Sequence, residues 1–149
     1  MTPLPDIEAR LDALTGATDA AAATATELLS LGEQILSHWI VVRGMTPTDT
    51  EKEGFRLLAL HRQGARGEPS FNACRETCRE LVYHYNLIAL QPDHPDTAKR
   101  LRLAALVAKH LCLFVSGKME VAGLGDFCCS SRPLRTARDG AGEQDQPEA

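Results

Sequence analysis

At 149 residues the chain has room for one domain with a substantial core and none for a second, and its 44% hydrophobic and 24% charged composition is that of a globular protein. An aromatic share of 5% suits packing by Leu, Ala and Val between helices better than a sandwich of strands, where aromatic and β-branched residues dominate. A net charge of −4 offers no basic field for nucleic acid, no cationic and apolar leader opens the chain, and no apolar run reaches the roughly 20 residues of a membrane helix.

Helical periodicity predicts five helices. The first covers residues 5–15, with Ile7, Leu11 and Leu14 on one stripe before Gly16. The second covers residues 18–43 from a start near Thr18 or Asp19; Leu28, Leu31, Ile35, Trp39 and Val42 recur at steps of three and four until Gly44. Gly32 lies inside that stripe, where it costs about 1 kcal/mol against Ala and implies close approach by a neighbouring helix. The third covers residues 48–63, because Thr48 and Glu51, and again Thr50 and Glu53, have capping-box spacing ahead of a seam of Gly54, Leu57, Leu58 and His61.

A loop from Gln63 to Pro69 leads to Ser70, a candidate cap for the fourth helix over residues 71–90, whose stripe is Phe71, Cys74, Cys78, Leu81, Tyr85 and Ile88. Asp93 is a candidate cap for the fifth, over residues 95–117, which is apolar on most sides and reads as the central helix. Beyond Phe127 no apolar periodicity remains. The expected organisation is an all-α, four-helix-bundle-like single domain over residues 1–127 with an additional N-terminal helix, and a Cys-Cys segment with a disordered acidic tail over residues 128–149.

Three constellations bear on chemistry. Cys74 and Cys78, four apart on a helix, together with Cys128 and Cys129, supply four thiols of the kind that hold zinc or an iron–sulfur cluster. The spacing is not the two-residue gap of zinc ribbons, and Cys74 and Cys78 fall in the middle of an apolar face, where Cys packs as a small hydrophobe; Cys112 reads as core as well. Five cysteines without a leader point to reduced thiols in the cytoplasm. His38, His61, His84 and His110 fall one to each main helix, as a bundle metal site would require, but the Glu-x-x-His spacing of di-iron bundles is absent.

Arg62, Arg66, Arg75 and Arg79 flank the glycine-bearing loop and the fourth helix start, where free N–H groups at Ser70 to Ala73 and four guanidiniums would suit an anion or phosphate. The plainer reading is a solvated face with Arg75 and Arg79 paired to Glu76 and Glu80. No Gly-x-Ser-x-Gly elbow or Walker loop occurs, and Gly123-Leu124-Gly125 lacks the third glycine of a dinucleotide fold, so the sequence points away from an enzyme. The expected function is that of a cytoplasmic, non-enzymatic accessory or interaction protein that binds a protein partner or forms a homodimer, with Trp39 or Tyr83 as anchors, and binds neither nucleic acid nor membrane. The alternatives are a metal, iron–sulfur or thiol-redox protein and an anion- or phosphate-binding module.

Overall fold

The computed structural model describes residues 1–16 and 20–124. Among them the chain is all-α: α1 (Leu4–Leu14), α2 (Ala21–Val42), α3 (Arg56–Ala65), a short 3₁₀ helix (Pro69–Cys74), α4 (Arg75–Leu90) and α5 (Thr97–Ala122). The chain divides into two units, Met1–Val115 and Ser116–Ala149. None of the helices is long and apolar enough to cross a membrane. Cys128, Cys129 and the expected acidic tail lie outside the described residues.

In the first unit, Pro3 precedes α1 and Asp6 in its first turn complements the positive end of the helix. Its predicted stripe of Ile7, Leu11 and Leu14 is buried, and Arg10 reaches Glu27 of α2 through two hydrogen bonds of 2.6 and 2.9 Å. The second helix starts at Ala21 rather than near residue 18, because Ala20 takes a left-handed φ of 50° that no α-helix continues through. At its other end Gly44, at φ 80°, closes a Schellman motif: its N–H bonds to Val41 O at 2.9 Å and the Met45 N–H to Ile40 O at 3.1 Å.

Burial on α2 is wider than the predicted stripe, with Ala25, Leu36 and Ile40 joining Leu28, Leu31, Ile35 and Trp39. It packs against α1, α3 and α4. Trp39 is only 2% exposed and cannot anchor a partner, whereas Tyr83 stands out on the surface.

The third helix begins eight residues later than expected. Thr48 does not cap it: the Thr48 hydroxyl instead accepts the Thr50 N–H at 3.1 Å, a local turn that competes with helix. The chain then reverses at Glu53 (φ 56°) and Gly54 (φ 84°), with Lys52 and Phe55 exchanging two backbone hydrogen bonds of 3.0 Å. Positive φ at both central residues defines a two-residue type I′ turn, and Gly54 supplies the second without strain. Phe55, extended, is the residue from which α3 starts.

At the α3–α4 corner the chain forms the 3₁₀ helix first, so α4 starts at Arg75 instead of residue 71, its N-cap position is taken by Cys74, and Ser70 lies within the 3₁₀ helix. Phe71 lies at the heart of this corner, parallel to Trp39 at 5.1 Å, stacked on His61 at 5.6 Å and tilted against Phe114 of α5 at 5.8 Å. The last helix begins at Thr97, two residues later than expected. Asp93 does not cap it; ahead of it His94 Nδ1 accepts the Asp96 N–H at 3.0 Å.

Over its first-unit length α5 buries Leu101, Ala104, Ala108, Leu111, Cys112 and Val115 and leaves Leu103, Leu106 and Leu113 38, 48 and 51% exposed. In the second unit α5 runs on past the expected end at Gly117, buries Met119 and stops after Ala122. The stop repeats the motif of α2, with Gly123 N–H on Glu120 O at 3.1 Å and Leu124 N–H on Met119 O at 2.8 Å.

Candidate anion-binding site

Arg62 sits on the solvent side of α3 with Arg66 four residues on at the C-cap of that helix, and Arg75 and Arg79 lie one turn apart at the start of α4. Like charges at this spacing oppose helix formation by a few tenths of a kcal/mol each, so both ladders run against local stability. The corner turns the two helices so that Arg62, Arg75 and Arg79 line one cavity of about 390 Å³, joined by Lys52 from the hairpin turn, His61 and Asn72. Arg66 is the exception among the four predicted arginines. It lines a neighbouring cavity of about 290 Å³ with Thr48, Thr50 and Gln63, and the two cavities have Lys52 and Arg62 in common.

Arg79 does not pair with Glu80 on its own helix. It reaches across to Glu53 with hydrogen bonds of 3.2 and 2.8 Å, and Lys52 Nζ approaches the same carboxylate at 3.4 Å. The Arg79 hydrogen bonds hold the Glu53 carboxyl down to about 2. Their stabilisation is therefore fully present above the ordinary glutamate value of 4.5 and is given up as pH falls towards 2. Among the described residues no ion pair involves Arg62, Arg66 or Arg75.

Backbone amides contribute less than expected, since the 3₁₀ helix ties the Phe71 N–H to Glu68 O at 2.9 Å and the Arg75 N–H to Asn72 O. The cationic character of the cavity rests on side chains. Lys52 and the turn that carries it were not singled out from the sequence, because Glu-Gly is a weaker turn signal than Asn-Gly or Asp-Gly.

Behind the cavity wall lie two of the predicted thiols. Cys74 precedes α4, Cys78 follows one turn on, and both are buried and free, while Cys112 is buried on α5. Cys74 Sγ donates to Phe71 O at 3.2 Å, and His61 Nε2 approaches the same carbonyl at 3.2 Å. A hydrogen bond from Cys78, opposed by burial and helped by His61, brings the Cys74 thiol down to about 6, while Cys74 itself and burial push Cys78 up.

No group of three or more His, Cys, Asp or Glu among the described residues is placed to hold a metal ion. The other predicted histidines go separate ways: His38 Nε2 meets Thr2 O at 2.6 Å, and His110 is exposed on α5. His84 is buried with its Nδ1 unpartnered, and burial lowers its pKa. Comparison of the chain with family models, curated proteins and solved structures found no match.

Proposed function

We propose that the protein is a non-enzymatic helical module that holds an anionic group of phosphate type in the cavity between α3 and α4. The observation that carries this reading is the convergence of Lys52, Arg62, Arg75 and Arg79 on one cavity of about 390 Å³, with Arg62 and Arg75 free of ion pairs among the described residues. Guanidinium forks match the geometry of a tetrahedral oxyanion, and the Asn72 amide adds a neutral donor. The buried free thiols of Cys74 and Cys78 suit a reducing compartment and support a cytoplasmic location.

Titration of inorganic phosphate followed by side-chain and amide NMR tests the site. Saturable shifts are expected at Lys52, Arg62, Asn72 and Arg75, with an affinity in the millimolar range. Arg75→Gln removes one charge-assisted interaction worth about 1.5 kcal/mol, a loss of about tenfold in affinity, while thermal stability stays unchanged because the side chain is exposed. Flat shifts at these positions would overturn the assignment.

A second reading, a protein partner or homodimer, is favoured by the apolar seam of α5. Leu103, Leu106 and Leu113 are exposed at steps of three and seven, a helix-pairing spacing with His110 at the fourth position. On this reading sedimentation shows a mass that rises with concentration, or a bound partner, and Leu106→Glu abolishes either one. A monomer that takes no partner argues against it.

A further inference from the structure

The two cavities at the α3–α4 corner are neighbours with common residues. Lys52 and Arg62 line both, so each can serve an anion on either side. Beyond them the second cavity adds Arg66, which like Arg62 has no ion pair among the described residues, and Thr48 and Thr50, whose hydroxyls bond to each other at 2.8 Å and so leave one O–H between them for a ligand. Glu51 also lines it, which leaves the second cavity with the weaker positive field of the two. Gln63 is not available to a ligand, because its amide is occupied by the Thr48 N–H and Thr46 O, both at 2.8 Å. Arg62 lies in the last turn of α3 and Arg66, four residues on, is its C-cap just past the helix end, so the two backbone positions are about one helical turn, roughly 6 Å, apart along the axis.

We propose that the ligand carries two anionic groups about one helical turn apart, one held in each cavity on either side of Lys52 and Arg62: a bisphosphate or short polyphosphate rather than a single phosphate. This rests on the anion-binding reading of the first cavity. A planar guanidinium with five donors can bridge two oxyanions through its two edges, which a point-charge ammonium does less well, and that is the part Arg62 plays here. Tying two anions on one scaffold makes the second contact intramolecular, so affinity rises without further contacts to solvent-screened charges.

Calorimetric titration at physiological ionic strength, with inorganic phosphate and with tripolyphosphate as probes, tests the proposal on the full chain. Four proteins are compared: wild type, Arg75→Gln, Arg66→Gln, and Arg102→Gln as a control that removes one exposed charge from α5. Tripolyphosphate is expected to bind about 30-fold or more tighter than phosphate. Arg66→Gln lowers tripolyphosphate affinity about tenfold and phosphate affinity less than about twofold, and Arg75→Gln weakens both probes about tenfold. The arginines are exposed, and unchanged melting temperatures confirm that each variant is folded. If Arg66→Gln weakens tripolyphosphate no more than Arg102→Gln does, while phosphate still binds and still depends on Arg75, the second subsite is wrong and the first stands. If neither probe binds wild type, both are wrong.

Discussion

Trp39→Ala should remove about 3–5 kcal/mol of folding stability, the largest loss expected from any single truncation in this core. The indole is almost wholly buried, lies parallel to Phe71 at 5.1 Å and donates from Nε1 to Gly64 O at 3.0 Å, with the Arg43 guanidinium 5.3 Å from its ring centre. Alanine leaves a cavity of indole size, takes away the stacking partner of Phe71 and leaves the Gly64 carbonyl with only the longer bond from Arg43 Nη1 at 3.5 Å. Each loss falls on the corner where α3 meets α4 through the 3₁₀ helix. Urea unfolding measures it, with a fall in melting temperature on the order of 10–20 °C. Trp39→Phe keeps the stack and loses the hydrogen bond, so it should fall between, at about 1–2 kcal/mol. A loss under about 1.5 kcal/mol for the alanine variant would show that the corner does not depend on this ring.

A pair of glycine substitutions with opposite expected results probes the same corner. A Cβ at Gly64 would stand 3.0 Å from both Phe71 Cε2 and Trp39 Cδ1, atoms of two rings stacked on each other. Rings so constrained cannot turn aside without moving the 3₁₀ helix, and Gly64→Ala should cost about 1–3 kcal/mol despite the better helix propensity of alanine. A Cβ at Gly32 comes closer still, 2.9 Å from Leu81 Cδ2 and 3.1 Å from Leu57 Cδ1. Those are the ends of flexible side chains that can rotate by a few tenths of an ångström, and the gain of about 1 kcal/mol from removing a mid-helix glycine offsets the crowding. Gly32→Ala should therefore stay within about 1 kcal/mol of wild type. Denaturant midpoints of the two variants decide it; equal losses would mean that leucine tips and stacked rings yield alike.

The all-α class was legible because apolar residues recur at helical steps in every long segment; the stripe of α1 is buried as its periodicity predicts, that of α2 except for the half-buried Val42, and that of the predicted fourth helix except for the half-buried Tyr85, with Phe71 and Cys74 carried on the 3₁₀ helix. The start of α3 was not legible. Thr48 and Thr50 carry the same Thr-x-x-Glu pattern whether they cap a helix or fold back on their own backbone, and the Glu53–Gly54 reversal tips the balance to the second. The exposure of Leu103, Leu106 and Leu113 was hidden for another reason. A helix apolar on most sides reads as central, and only packing shows which side is left uncovered. The two arginine ladders could be read as pairs on separate helices. That Arg62, Arg75 and Arg79 meet at one cavity while Arg66 falls into the next depends on the corner and on the turn that delivers Lys52, neither of which periodicity encodes.

The Gln63 side chain behaves towards the segment before the turn as a neighbouring strand would: its amide accepts from the Thr48 N–H and donates to Thr46 O. Arg56 Nε on Thr48 O, at 2.9 Å, adds a second rung from the same helix. A stretch without regular structure is thereby pinned to α3 at three backbone groups, and the hairpin turn is fastened to α4 through Glu53 and Arg79. The backbone positions that carry Lys52 and Arg62 are thereby fixed relative to one another, and an anion held as proposed would meet donors whose backbone freedom was already lost during folding. On the anion-binding reading, the conformational penalty of assembling the site would fall on the folding equilibrium rather than on binding, and a small ligand with few atoms to contribute could then hold to it.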